Sequence, residues 1–183
     1  MATQFDAIAP AHQKFIEAQH LFFCATAAQD GRVNLSPKGM DSLRVMGPNR
    51  IVWRNLTGSG NETAAHLAKV NRITLMWCGF EAQPMIMRAY GSARTLHADH
   101  AEFAALDAMF PPSPGARQIY DVAVDMLQTS CGYAVPMFEH VKERPILRDW
   151  AEAKGPDGIA TYWTERNQTS IDGMPTGTPT RDA

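Results

Sequence analysis

The chain has 183 residues, 45% of them hydrophobic, with 17 basic against 19 acidic side chains and a net charge of -2. Those totals suit one compact domain with a real core, and a charge so even, without a basic stripe, argues against nucleic acid as the main partner. The longest apolar runs, residues 21–28 and 73–80, are too short to cross a bilayer, and residues 1–6 lack the basic-then-apolar layout of a signal peptide. A cytoplasmic protein with no membrane role is therefore expected. Its three cysteines, Cys24, Cys78 and Cys131, are far apart, odd in number and outside any C-x-x-C pattern, which points to reduced thiols.

In chain order, residues 12–19 predict a short helix around Phe15 and Ile16, and residues 21–28 a buried strand. Asp30-Gly31 is a hairpin signal leading into a strand over 32–36, where Pro37 ends pairing or marks a sheet edge. Residues 43–46 and 51–56 are two further strands joined by a turn at Gly47-Pro48-Asn49-Arg50. A helix runs from Asn61 to about Val70. Strands follow over 72–80 and 85–96, separated by Gln83-Pro84, and Gly91 within the second suggests a bulge or a close approach. From Asp99 the pattern turns helical. Asp99 with Glu102 reads as a capping box, Phe103, Leu106 and Phe110 share a face, and Pro111-Pro112 stop the helix. Residues 116–129 predict a second helix from the spacing of Ile119, Val122, Ala123, Met126 and Leu127. Residues 145–154 predict a third, with Pro145 at its first position and Gly155 at its end, and residues 157–166 a fourth. The tail from Thr169 is rich in Thr, Gly and Pro, and its last residues are expected to be disordered. Six strands joined mainly by short turns, with one helix between them, favour an antiparallel barrel with helices packed outside over βαβ units. The expected layout is a single domain over 1–168, with the barrel at about 20–96, a helical part at about 99–168, and an extended or partly disordered tail over 169–183.

The chemistry centres on the strand over 51–56, the loop Thr57-Gly58-Ser59-Gly60 and the helix that starts at Asn61. Unpaired N–H groups of a first helical turn, glycines that admit a close approach and the helix dipole together favour an anion there. Upstream, Asn34, Ser36 and Lys38 lie at spacing two, on one face of an extended chain, with Val33 and Leu35 on the other. A phosphate held between Lys38 and the loop is the expectation. Each feature has a plainer rival. Lys38 beside a turn is ordinarily a solvated lysine, the glycine loop is ordinary turn chemistry, and Arg54 and Arg88 are candidates for cross-strand ion pairs. His97 and His100 around Asp99 have metal-like spacing that a helix cap explains better, so no metal is expected.

The segments Phe23-x-Ala25-Thr26-Ala27-x-x-Asp30-Gly31, Val33-Asn34-Leu35-Ser36-Pro37-Lys38-Gly39, the loop and helix from Gly58 to Leu67, and Arg88-Ala89-Tyr90-Gly91 together resemble the pyridoxamine 5'-phosphate oxidase-like, FMN-binding split-barrel proteins. The likeness covers about residues 10–96. It continues through Ser130-Cys131-Gly132-Tyr133-Ala134-Val135-Pro136 and Arg166-Asn167-x-x-Ser170-Ile171-Asp172-Gly173. The resemblance implies a six-stranded antiparallel split β-barrel, a homodimer, FMN in a groove between the subunits, and oxidoreductase chemistry on a small molecule. It would set Ser36 and Lys38, with Asn34 beside them, against the flavin phosphate and ribityl chain. Asn55, Thr57, Ser59 and Asn61 would line the phosphate loop, with Arg54 and Arg88 as nearby cations, and the stretch around Trp163, Arg166 and Asn167 would reach the partner's site. Two departures stand out. The family's best-known member has an Arg-Lys pair in the phosphate loop where this chain reads Ser59-Gly60-Asn61. That member also closes its substrate site with Arg and His, where Arg166 here is followed by Asn167 and Gln168. Pyridoxamine phosphate is therefore not the expected substrate.

Two other functions stay open on sequence: a carrier or sensor that only holds flavin or haem, and a nicotinamide site. Gly58-x-Gly60-x-x-Thr63 with Glu81 about twenty residues on imitates the dinucleotide fingerprint, but the third glycine and the second βαβ unit are missing. FAD and deazaflavin F420 remain alternatives to FMN.

Overall fold

A computed structural model describes residues 2–180. In chain order it holds β1 (Thr3–Phe5), α1 (Pro10–Glu17), β2 (Phe22–Thr26), β3 (Asn34–Lys38), β4 (Leu43–Gly47), β5 (Arg50–Leu56), α2 (Glu62–Lys69), β6 (Ile73–Cys78), β7 (Met85–His97), α3 (Phe103–Asp107), β8 (Ala116–Cys131) and α4 (Ile146–Arg166). The strands run antiparallel in the order β3-β2-β6-β7-β8-β5-β4, and β1 adds to β8. This is the split-barrel architecture expected from the sequence, with β1 and β8 joining the six expected strands. Pro37 lies in β3, at the end of the strand order, where a missing ladder donor does least harm.

The largest departure is residues 116–129, which form a strand and not a helix. β8 pairs with β7 from Met85↔Cys131 to His97↔Gln118, and with β5 from Arg50↔Ala123 to Leu56↔Ala116. Its residues from Arg117 to Val122 are all buried, so alternation is hidden where the strand is covered on both faces. Alternation returns at Val122 and Val124, which are buried while Ala123 and Asp125 are exposed. Ile119, Tyr120, Val122, Val124 and Thr129 are strand-forming types, and their packing overrides an accidental helical period. The expected capping box also fails. α3 starts only at Phe103, because both carboxylate oxygens of Glu102 are taken by Arg94 at 2.8 and 3.0 Å, a two-point ionic contact stronger than one cap bond.

Gly91 is both a bulge and a close approach. The β7–β8 register shifts at Tyr90/Gly91, and a Cβ there would stand 1.9 Å from the Ala123 carbonyl oxygen. The two helices expected after residue 145 run as one element bent at Gly155, whose φ of 65° precedes Pro156. Beyond it the tail doubles back through a bridge between Thr169 and Pro175, and Thr176 and Thr178 are buried. The disorder expected at the very end falls on residues 181–183, outside the described residues.

The main core lies inside the barrel, where Trp53 stacks on Tyr120 at 4.6 Å and Phe22 meets Trp53 edge-on at 5.6 Å. A second cluster of Val52, Leu96, Leu106, Phe110 and Ile119 fixes α3 to the outer face. Among the described residues no helix is long and apolar enough to cross a membrane.

Candidate functional site

β3 inverts the usual polarity of an edge strand. Val33 and Leu35 are 74% and 63% exposed, while Asn34, Ser36 and Lys38 turn inward. Inside they meet a polar lining in place of hydrocarbon. Asn34 Nδ2 donates to Thr26 Oγ1 and Thr63 Oγ1, both at 3.1 Å, and Asn34 Oδ1 accepts from Ser36 Oγ at 2.7 Å. Thr26 Oγ1 in turn contacts His66 Nδ1 at 3.1 Å. β2, β3 and α2 are thus joined by one chain of hydrogen bonds, which fixes the inward face of β3 opposite the loop that leads into α2.

A cleft of about 750 Å³ opens between that face and the loop. The expected residues Asn34, Ser36, Lys38, Asn55, Ser59 and Asn61 all line it. Asn61 stands at the start of α2 without capping it by its side chain. Its amide pairs instead with Gln118, donating at 3.3 Å and accepting at 2.7 Å, and donates to Thr178 Oγ1 at 2.9 Å. Glu62, in the first turn of α2, places a carboxylate in the same cleft and accepts from the Ile171 N–H at 3.3 Å.

The remaining expected residues lie outside the cleft of this chain. Arg54 alternates with Asn55 along β5 and so takes the opposite face, where it is 3% exposed. It donates to the Pro111 carbonyl at 2.6 Å, pairs with Asp107 at 3.4 Å and covers the Phe110 ring. Thr57 donates to the Gly115 carbonyl at 2.9 Å and accepts from Trp163 Nε1 at 2.8 Å, so these two residues fasten α4 to the loop. Arg88 sits between Met76 and Gln128 in the sheet and reaches Ser130 at 3.5 Å. Arg166 is exposed at the end of α4. Of the two spaced histidines, His100 Nδ1 accepts from the Glu102 N–H at 3.2 Å, while His97 Nδ1 is buried without a partner among the described residues.

The residue that sequence reading missed is Arg117. It is 2% exposed and lines the cleft. Its guanidinium donates to Asn167 Oδ1 at 2.6 Å, to the Gly60 carbonyl at 3.0 Å and to the Gly58 carbonyl at 3.4 Å, and its Nε has no partner among the described residues. No carboxylate lies within ion-pair distance of Arg117 or Lys38 among the described residues. Burial pulls both pKa values down, and the positive charge of Arg117 adds to the effect on Lys38. The Lys38 ammonium instead stands 5.4 Å from the centroid of the Trp53 ring. Reading 116–129 as a helix hid this arginine. The available signal was an Arg-Gln pair inside an otherwise strand-forming segment. Two desolvated cations beside a glycine loop and a helix start make a site for an anion, with room behind it for an organic group.

The chain matches the family model described as Pyridoxamine 5'-phosphate oxidase over residues 8–131. A relative named as the pyridoxamine 5'-phosphate oxidase family protein ustO of Aspergillus flavus is 31% identical over an alignment 175 positions long, which covers 86% of this chain and 70% of the relative. Among solved structures, HupZ of Group A Streptococcus superposes with a TM-score of 0.55 at 18% identity, over 67% of this chain and 99% of that one. A Lactobacillus delbrueckii protein, described as a candidate pyridoxamine 5'-phosphate oxidase, gives a TM-score of 0.51 at 16% identity, over 67% and 94%. At these identities the two structures bear on the fold alone.

Proposed function

The chain belongs to the pyridoxamine 5'-phosphate oxidase family, and from that premise we propose that it is a cytoplasmic, homodimeric, FMN-dependent oxidoreductase acting on a small molecule. The observation that carries this reading is the pair of buried Arg117 and half-buried Lys38, two cations with no carboxylate within ion-pair distance among the described residues, on a cleft bounded by the loop from Gly58 to Asn61. A buried unpaired charge costs several kcal/mol, on the order of what its removal from water demands, and a bound dianion offsets that cost. The cleft's volume of about 750 Å³ lies within the roughly 300–1,000 Å³ usual for cofactor and ligand sites.

In this reading Lys38 and the N–H groups of the loop hold the phosphate, Ser36, Asn34 and Asn55 meet the ribityl hydroxyls, and Arg117 holds the loop in place. The flavin, when bound, supplies the hydride chemistry at its N5. The protein's own part is to bind, orient and exclude water, which is why no Ser-His-Asp set or metal cluster is required at the site. Homodimerisation is supported by the exposed Val33, Leu35 and Ile171, three apolar side chains at the mouth of the same cleft. A partner packed there would cover them and close the cofactor's open side, and Arg88, Trp163 and Arg166 are assigned to such a composite site.

The test is the visible spectrum of the purified protein followed by titration with FMN, FAD and riboflavin. Tight FMN binding with accelerated reduction by NADPH or a deazaflavin donor, and reoxidation by a small acceptor, supports the enzyme. Binding without faster electron transfer would leave a carrier or sensor, and no binding would remove the proposal.

A further inference from the structure

On the side of the molecule bounded by α1 and β2, three side chains that can ligate a metal converge from positions about 120 residues apart. His20 lies between α1 and β2, while His140 and Glu143 lie in the irregular segment 132–145 that links β8 to α4. The imidazole rings of His20 and His140 stack with centroids 3.6 Å apart and planes 13° apart, and His140 Nε2 is 3.4 Å from Glu143 Oε1. One ligand atom from each of the three lies within 4.8 Å of the others. None of them lines the cleft of Lys38 and Arg117.

We infer that His20, His140 and Glu143 bind one divalent first-row transition ion of the zinc class, which fastens segment 132–145 to the body of the barrel. The donor set fits: two imidazoles and one carboxylate are the ligands that zinc, nickel and copper share. Metal–ligand bonds of about 2.0–2.2 Å bring such atoms to roughly 3.3–4 Å of one another, so the site closes by an ångström or so. All three side chains are exposed and free to rotate that far.

Segment 132–145 needs such a fastening. Tyr133, Met137, Phe138 and Val141 are between 62% and 85% exposed. Among the described residues its ties to the barrel body are the Gly132 N–H to the Pro84 carbonyl at 3.0 Å, the Phe138 N–H to the Phe80 carbonyl at 2.9 Å, and the Phe80–Phe138 ring contact at 5.4 Å, besides the histidine stack. His20 has no hydrogen bond to the protein among the described residues, so its ring nitrogens are free to ligate. Three protein ligands leave at least one coordination position open, and the two histidines stand at the rim of a separate cleft of about 680 Å³ lined by Phe15, Leu21, Phe80 and Phe138. Lys142, Arg144 and Arg148 share a neighbouring cleft with His20 and Glu143, along with Glu17 and Asp41. Their positive charges temper the affinity, so an exchangeable ion is expected in place of a locked one.

The experiment uses tag-free full chain stripped with chelator, titrated with Zn²⁺ by calorimetry and with Co²⁺ by visible absorption. The expected result is one equivalent bound, d–d bands of a four- or five-coordinate ion, and slower proteolysis within 132–145 when Zn²⁺ is present. H20A, H140A and E143Q should each bind at least about 10-fold more weakly, the low end of what even outer-shell changes cost, and lose the protection. Because the three side chains are exposed, the variants are expected to keep the wild-type circular dichroism. Absence of binding by the wild type overturns the inference, as does an unchanged affinity in H20A and H140A. FMN titration of the same variants separates this site from the proposed cofactor cleft, since it should be unaffected.

Discussion

Replacing Lys38 by methionine keeps the length of the side chain and removes its charge. In the ligand-free protein the change loses an ammonium–indole contact at 5.4 Å, worth roughly 0.5–2 kcal/mol, and relieves the desolvation that pulls the Lys38 pKa down. No carboxylate pairs with Lys38 among the described residues, so the two effects oppose each other and apo stability should change by about 1 kcal/mol or less. The bound state differs. A charge-assisted bond to a phosphate is worth about 1.5–3 kcal/mol, a roughly 10- to 150-fold rise in Kd. Flavin fluorescence quenching measures it, and riboflavin, which lacks the phosphate, is the control: its affinity should not move. pH gives a second readout. The folded pKa of Lys38 is below the unfolded one, so its cost to stability is full at low pH and is relieved as pH rises through the folded value. FMN affinity should fall over that same rise as the ammonium deprotonates. Equal FMN dissociation constants in wild type and variant, or equal losses for FMN and riboflavin, would refute the assignment of Lys38 to a phosphate.

Three other outcomes are expected. Burial pushes the Cys24 thiol up to about 11 and raises Cys78 as well, while Cys131 is exposed; at pH 8 one thiol should react rapidly with Ellman's reagent in the folded protein and three after denaturation. Because the folded value for Cys24 lies above its ordinary 9.0, the associated stability is whole below pH 9 and is lost as pH climbs toward 11. For Asp121, burial raises the carboxyl pKa but bonds from Arg50 and Arg94 outweigh it and hold the value down. Asp121→Asn should cost about 1–2 kcal/mol at pH 7 in urea unfolding, since both arginines are about half exposed. That difference should shrink as pH falls below 3.8 and the wild-type carboxyl protonates; a pH-independent cost would rule out the ionic account. Gly91→Ala would set a methyl 1.9 Å from the Ala123 carbonyl oxygen between the two longest strands, with an expected loss of about 3 kcal/mol or more and a Tm drop readable by calorimetry.

Local signals served well where an apolar run of strand or helix length is bounded by turn residues. The strands over 22–26, 50–56 and 73–78, the helix after Asn61 and the bulge at Gly91 were all legible, because apolar runs, turn residues and a strand glycine each have a local physical cause. Of the candidate site, the β3 triplet of Asn34, Ser36 and Lys38 was legible from its period of two. Legibility failed in β8, where two-sided burial coincides with an accidental helical spacing; burial alone is not enough, since Ile51 to Asn55 are equally buried in a legible strand. In β8 both faces are covered between Arg117 and Val122, so no alternation survives there to reveal a strand, while Ile119, Val122, Ala123, Met126 and Leu127 fall at helical spacing. The misplacement of Arg54 has a different origin. Its neighbour Asn55 does line the cleft, and a strand sends adjacent residues to opposite faces. Resemblance supplied the neighbourhood, and only the backbone could assign the face.

The absence of cationic side chains at Ser59-Gly60-Asn61 has a physical counterpart in how Arg117 and Asn167 grip that loop. Arg117 holds the carbonyl oxygens of Gly58 and Gly60, and Asn167 Nδ2 also donates to the Gly58 oxygen at 3.0 Å. In a trans peptide the C=O and the N–H of the same plane point in opposite directions. With the carbonyls of 58 and 60 drawn toward the guanidinium, the N–H groups of Ser59 and Asn61 are aimed away from it. A buried arginine thereby sets the loop's donors and adds a positive potential from behind, a role that a charged side chain at position 59 or 60 would fill by direct contact. Asn167 is 0% exposed and bonded to Arg117 at 2.6 Å, so the turn after α4 is part of the same fixture. Arg166 itself lies outside the cleft, and it is the residue beside it that holds the cleft's wall.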